Sequence, residues 1–558
     1  MNYRVPKAFS NLQFIHLQFT ILMRSSLHNI FLTFALFISF SLFSQPADTE
    51  RPRLVIGIMV DGLQQKHIDL LWNYFDSNGF KKIIGQGANC ENVHYDNVSA
   101  GNASDIANVM TGTTPYYNGI AGNNYYSREQ REVISIIQDE NQVGIGTKET
   151  VSAHNLLSST ILDELMLAYP NKSKCYAVAI NAEDAIMLGG HSAKSVSWID
   201  DVQMKWITTG YYTDGLSHWA DDMNVNGTFQ NYTARTWGPL YAINTYFSAP
   251  NKEDKRFGFL YDPRNKKAKS SSVTILKNTP PANSLVAELG LKIITEEQLG
   301  TDKYPDMMML QFTVRTPNEK TFSLQSAEKE DMYLRLDKDI EYLLQKIDVK
   351  VGLDKTLVFM FGNQTAVHSP TELGENKIPA GYFNANRSMA LLSTYLMAVY
   401  GQQRWIDGYY AKNIYLNKKK IEEKKINIRE MQQNIADFML EFEGIQAAFP
   451  SSQVLNMGGN GNNEMQRIQN SSNKKTIGDI IITLLPGWIE VDDKNNPVGE
   501  SNAIVSYTPL YFYGWKIQPQ KVIKSYQTTD IAPTLSRILN IPIPNACIGK
   551  PIDEVIPK

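Results

Sequence analysis

Two stretches near the amino end carry the residue types that chemistry would need. The first, RPRLVIGIMVDG, is an apolar run from Leu54 to Val60 that ends in one carboxylate, Asp61, and then Gly62. A continuous apolar run predicts a strand buried on both faces, and open α/β sheets build their sites just past the carboxyl ends of such strands. The second, NVSAGNASDIANVMTGTTPYYNGIAGNN, is a polar, Gly- and Ser-rich loop that enters a short helical pattern and closes on Thr111-Gly112-Thr113-Thr114-Pro115. A loop-to-helix entry of this kind presents free backbone N–H groups and suits an anion. The two stretches describe half of a catalytic site, and the other half must come from further along the chain.

The elements that would position these residues follow a βα rhythm. Lys66–Asn73, Phe80–Ile84 and Ser158–Ala168 carry apolar residues at helical spacing, and Lys174–Ile180 reads as a second buried strand. Residues 200–280 lose the alternation, are rich in Trp, Tyr, Asn and Gly, and read as an inserted cap with a lysine-rich loop at Asn265–Ser272. The rhythm resumes with a strand at Met307–Phe312, an amphipathic helix at Glu330–Ile347 and a strand at Lys355–Phe361. A charged helical insertion is expected near 411–450, its Lys/Glu alternation reading as a solvated face, before strands at Ile477–Leu485 and Thr508–Tyr513 and a last helix. Strands alternating with helices predict an α/β fold in three layers, α/β/α, around a largely parallel sheet.

Composition narrows the function classes. The chain has 558 residues, enough for several domains or one large one with insertions, and a formal net charge of −3 with no basic face, which argues against nucleic acid as a partner. Cys90, Cys175 and Cys547 are widely spaced without metal-finger spacing, so at most one disulfide is possible and buried thiols are the simpler reading. Met23-Arg24 followed by the apolar run Ile30–Ile38 and the small residue Ser44 is the pattern of a secretory signal over 23–44, with 1–22 a possible upstream extension. That run is short for a bilayer span, so export to the periplasm or medium without a membrane anchor is expected.

Residues 53–558 resemble the alkaline phosphatase superfamily, in particular the periplasmic phosphatases grouped with type I phosphodiesterases and nucleotide pyrophosphatases. The motifs LVIGIMVDG, VMTGTTPYYNGIAGNNYY, AIMLGGHSA, EDMYLRLDKDIEYLL, LYFYGW and PNACIGKPI occur in the order of that family. The resemblance implies attack on phosphorus by a Thr or Ser alkoxide held with the transferred oxygens between two zinc ions, which needs about six Asp and His ligands.

Carried over position by position, most of that machinery is missing. The first zinc-binding Asp falls on Asp61. The nucleophile position falls on Asn102, an amide without an ionisable hydroxyl, so the family's covalent intermediate cannot form there; Ser99 and Ser104 are displaced from it. The Asn that contacts a phosphate oxygen is retained as Asn123. The Lys and Arg that some members place on the phosphate fall on Asn181 and Glu183, and a Glu repels the dianion an Arg would recruit. The remaining ligand positions fall on Thr316 and Lys320, on Asn363 and Gln364, and on Val498 in the turn Val498-Gly499-Glu500; no His follows His368. A lone Asp does not hold zinc, so no cofactor is expected, with zinc as the alternative.

Structural roles compete for each of these residues. Asp61 reads as an N-cap of the following helix and Asn102 as a turn or cap residue. Lys320 either pairs with Asp61 or Glu183 or stays solvated, His191 reads as structural, and the charges of the EDMYLRLDKD helix are expected on its exposed face. A rebuilt metal site from Asp61, Glu183 and His368 is the competing arrangement. The expectation is an exported, catalytically degenerate relative with a binding or assembly role toward an envelope protein or glycan, through the aromatic 200–250 region. The alternative is a metal-dependent phosphate mono- or diester hydrolase with a rearranged site. A carbohydrate- or lipid-modifying transferase would need the same missing nucleophile.

Overall fold

The computed structural model describes residues 51–557, save for 99–100, 235, 249–270, 317–325, 365–369, 457–463, 495–497 and 499–506. The expected leader, most of the lysine-rich loop, Ser99, Lys320 and His368 therefore lie outside the described residues. Ten strands form the central sheet: β1 Leu54–Asp61, β2 Ala88–Cys90, β3 Gly144–Ile145, β4 Cys175–Val178, β5 Ser195–Ile199, β6 Trp206–Thr209, β7 Asp306–Thr313, β8 Thr356–Gly362, β9 Leu510–Gly514 and β10 Gln520–Val522. Their order is β10-β2-β9-β8-β1-β7-β4-β5-β6-β3. The block β8-β1-β7-β4-β5 is parallel throughout, while β9 runs antiparallel to β8 and β6 antiparallel to β5.

Alternation along β1 feeds two cores. Leu54, Ile56, Ile58 and Val60 join Met308, Leu310 and Phe312 of β7 under the helices Pro280–Glu296 and Ala327–Lys350. Val55 and Met59 point the other way, with Met309 and Phe359, against the helices Asn102–Thr111, Ile161–Ala168 and Ile531–Leu539. All eight residues of β1 are buried, as a strand covered on both faces requires. The result is the three-layer α/β arrangement.

Two regions differ from what their sequence suggests. Within 200–280, Trp206 belongs to a central-sheet strand, and Trp206, Trp219 and Trp237 are all buried in the core. These rings are packing, so the aromatic 200–250 region does not present them as a binding face. The charged 411–450 segment contains strands as well as helices. Asn413–Leu416 and Ile445–Pro450 flank the helices Lys418–Glu423 and Ile428–Met439, and with Ile406–Tyr410 and Ile480–Leu484 they make a separate four-stranded sheet. Met431, Ile435 and Met439 turn one face of the longer helix onto it, leaving the charges on the other.

The long helix Ala327–Lys350 corrects a further expectation. Its acidic residues Glu330, Asp331 and Asp337 are buried. Asp331 accepts hydrogen bonds from the Trp237 indole, the Leu240 N–H, the Tyr246 hydroxyl and Arg335. Glu330 takes the N–H groups of Phe247 and Ser248, and Asp337 those of Asp76 and Phe80. These carboxylates fasten connecting segments to the helix, since a buried backbone donor needs an acceptor. All three cysteines are free thiols, with Cys90 and Cys175 buried and burial pushing the Cys90 thiol up to about 12. Among the described residues no helix is long and apolar enough to cross a membrane.

Candidate functional site

The parallel register sets the carboxyl ends of β7, β1 and β8 side by side, with Asp61 opposite Thr313 and Val60 opposite Gly362. Three side chains just at or past those ends, Asp61, Arg315 and Asn363, therefore meet. Asp61 Oδ1 accepts from Arg315 Nε at 2.8 Å and from Asn363 Nδ2 at 2.7 Å. The same Asn363 amide donates to Asn102 Oδ1 at 2.7 Å and accepts the Gly62 N–H through Oδ1 at 2.8 Å. Asn102 in turn donates to Asp184 Oδ2 at 3.3 Å. Gln364 donates twice to Asp105, from its backbone N at 2.8 Å and from Nε2 at 2.9 Å. Side-chain amides thus link Asp61 to Asp184 through Asn363 and Asn102, and Gln364 ties Asp105 to the end of β8 beside them.

Local structure explains why each group is where it is. The helix Asn102–Thr111 starts at Gly101, whose φ of +139° and lack of Cβ let the Asn123 carboxamide come within what would be 2.3 Å of a side chain there. Asn123 uses that approach to accept the Ala103 N–H through Oδ1 at 2.9 Å, satisfying a first-turn donor of the helix. Gly62 turns the chain at φ +87°, and its carbonyl accepts from the Tyr333 hydroxyl of the long helix. The next helix begins only at Gln65 and has no side-chain cap. Asp61 is therefore not its N-cap; the intervening turn aims the carboxylate at Arg315 and Asn363 instead. At the end of β8, Gly362 is pinned by the Tyr95 hydroxyl on its carbonyl and by its own N–H on Thr508 Oγ1, which orients Asn363 and Gln364.

Asp61 borders a cavity of about 430 Å³ that Asn181, Lys277 and Thr313 also line, while Asp184 is buried behind it. Asp184, on the helix Ala182–Gly189, has its pKa pushed well above the ordinary 3.8, first by burial and then by the Asp61 and Glu183 carboxylates. Burial likewise raises Glu183. Tyr95 is raised by burial and by the nearby Asp105 charge. Burial of this kind disfavours the charged form of a carboxyl.

Of the residues singled out from sequence, Asp61, Asn102, Asn363 and Gln364 are brought into the network and Asn123 adjoins it. Thr316 is half-buried next to Arg315. Val498 is 44 % exposed, donates its N–H to the Glu490 carbonyl, and lines the same cleft as Gly101 and Asn123 without a bond to the network. Ser104 is fully buried, its Oγ accepting from Asn97, so it is not poised as a nucleophile. His191 sits between the Tyr211 hydroxyl and the Ser158 carbonyl, a packing role. Sequence reasoning missed Arg315, Asp105 and Asp184. The cation on Asp61 is Arg315, next to Thr316, and Lys320 lies outside the described residues.

These residues do not fit two zinc ions. Asp61 already has Arg315 in an ion pair at 2.8 Å, and a metal there would meet a fixed positive charge. Asn363 and Gln364 offer neutral amides where anionic or imidazole ligands would be required. Among the described residues no group of three or more His, Cys, Asp or Glu side chains is arranged to hold a metal ion.

Comparison with known proteins places the chain among related sequences and folds. The family model for type I phosphodiesterase / nucleotide pyrophosphatase matches residues 55–511. The chain is 30% identical over 536 residues to a protein of Myroides odoratus named calcium-transporting ATPase, covering 91% of this chain and 95% of that one. It is 28% identical over 522 residues to alkaline phosphatase PafA of Elizabethkingia meningoseptica, again covering 91% and 95%. The crystal structure of wild-type PafA superposes with a TM-score of 0.83 at 28% identity, covering 91% of this chain and 99% of that one.

Proposed function

The chain belongs to the type I phosphodiesterase/nucleotide pyrophosphatase family, within the alkaline phosphatase superfamily, and we propose that it is an exported member that has given up phosphoryl transfer for a binding role. One observation carries this reading: the carboxylate retained from the family's ligand set, Asp61, is engaged by Arg315 and by Asn363, and Asn363 also holds the amide Asn102 at the nucleophile position. Phosphoryl transfer in this family depends on an alkoxide and on cations that neutralise charge developing on the transferred oxygens. Here the alkoxide position is an amide, and Asp184 and Glu183 add acidic groups nearby.

The second reading, a metal-dependent phosphate mono- or diester hydrolase with a rearranged site, is favoured by the kinship with proteins named alkaline phosphatase. Metal analysis and turnover separate the two. The purified chain is expected to carry well under one zinc ion per molecule and to leave 4-nitrophenyl phosphate and bis(4-nitrophenyl) phosphate intact. Asn102→Thr alone should restore nothing, because the metal ligands are also replaced. Two tightly bound divalent ions, with turnover abolished by Asp61→Ala, would establish the hydrolase instead.

A further inference from the structure

Between the loop that carries Asn123 and the small four-stranded sheet lies a cleft of about 610 Å³, its inner end formed by Gly101 and Asn123. That volume is in the range of small-molecule sites, about 300–1,000 Å³. Four tyrosines, Tyr125, Tyr409, Tyr410 and Tyr415, line it from two different parts of the fold. Tyrosine supplies a flat apolar face with a polar edge, at little cost in conformational freedom.

One polar group of the wall is buried and has no partner. Thr483 lines the cleft at 7 % exposure, and its Oγ1 has no hydrogen-bond partner. A buried hydroxyl left without a partner is costly, so the position favours a ligand group that both donates and accepts. Glu490, 8 % exposed, lines the same wall, with the Tyr409 hydroxyl beside it, and burial raises its carboxyl pKa while Lys412 lowers it. Asp492 and Lys412 complete the charged lining, so acidic groups outnumber basic ones. That balance disfavours a phosphate or other anion.

We propose that this cleft binds an uncharged saccharide, with pyranose C–H faces on the tyrosine rings and sugar hydroxyls bridging Thr483 and Glu490. The assignment deepens the binding role proposed above and rests on it. A hydroxyl-rich neutral ligand meets each feature at once: it can donate to a carboxylate, exchange hydrogen bonds with Thr483, use the Asn124 amide, and pack an apolar face on an aromatic ring.

Calorimetric titration of the full chain with maltotetraose, cellotetraose and chitotetraose, alongside adenosine and glucose 6-phosphate, tests it. At least one neutral tetraose is expected to bind saturably, more tightly than adenosine or glucose 6-phosphate. Tyr410→Ala and the near-isosteric Thr483→Val should each weaken that binding about ten-fold without lowering the melting temperature of Thr483→Val. No saturation by any tetraose, unchanged affinity in a folded Thr483→Val protein, or tighter binding of adenosine or the sugar phosphate would overturn the proposal. Turnover of 4-nitrophenyl phosphate by the same preparation reports separately on the loss of catalysis: turnover with tetraose binding intact removes the inactive reading and leaves the saccharide site standing, whereas neither activity nor tetraose binding removes only the saccharide site.

Discussion

Buried carboxylates gather at two places in this molecule and are satisfied in different ways. On the long helix, Glu330, Asp331 and Asp337 take mostly backbone N–H groups from segments that wrap around them. At the strand ends, Asp61 and Asp184 take a guanidinium and side-chain amides. A backbone donor survives almost any substitution, so Glu330 and Asp337 are fixed by the path of the chain, while Asp331 adds three side-chain donors to one backbone N–H. A side-chain donor is set by one residue, so the second set can be rewritten one position at a time while the sheet beneath it stays the same. That is how a fold can persist after the chemistry at its strand ends has changed.

The contrast can be broken most easily at Asp331. Asp331→Ala strands an indole, a backbone N–H, a phenol and a guanidinium at once, and should lower unfolding free energy by about 3–5 kcal/mol, read by urea denaturation. A loss below about 1 kcal/mol would mean these carboxylates are no more structural than those at the strand ends. Asp337 gives a pH test of intermediate size. Burial raises its carboxyl to about 6 against an ordinary 3.8, so between those values the folded state holds more protons than the unfolded one. Its stabilising contribution is present below about pH 4 and falls as pH rises through 6. Wild type should therefore lose stability relative to Asp337→Asn over that window, by up to about 1.4 kcal/mol per pH unit; a parallel pH profile for the two proteins would refute it. The smallest effect is expected at the strand ends. Burial and the neighbouring carboxylates hold Asp184 well above the usual carboxylate range, which favours its neutral form, so the near-isosteric Asp184→Asn should stay within about 0.5 kcal/mol at pH 5. A loss several times larger would show an ionised Asp184 integral to the network.

Apolar runs announced the central strands and the long helix because burial on two faces, or on one helical stripe, leaves a pattern in neighbouring residues. β1 and β7 fall within a residue or so of where their runs end. Partners were harder to read, because Arg315 and Asp61 are 254 residues apart and only the parallel register of β1 with β7 brings them together. The acids of the long helix looked solvent-facing for a related reason: an amphipathic pattern records which side chains are apolar and carries no record of loops that later dock on the polar stripe. Of the small sheet only the run at Ile477–Leu485 reads as a strand, because its other strands are short and interrupted by lysine-rich helices whose charges dominate the local composition.

The small sheet has one more consequence, which concerns how the chain could be recombined. The polypeptide leaves the central sheet after Gly362 and re-enters at Leu510, and those two strands lie side by side, Phe361 opposite Leu510. Everything between them is, topologically, the loop of an antiparallel hairpin. Closing such a loop grows more costly only logarithmically with its length, so the whole excursion could be shortened, lengthened or exchanged for that of a relative without re-pairing a strand of the sheet. Binding preference and fold would then be separately heritable parts of one chain.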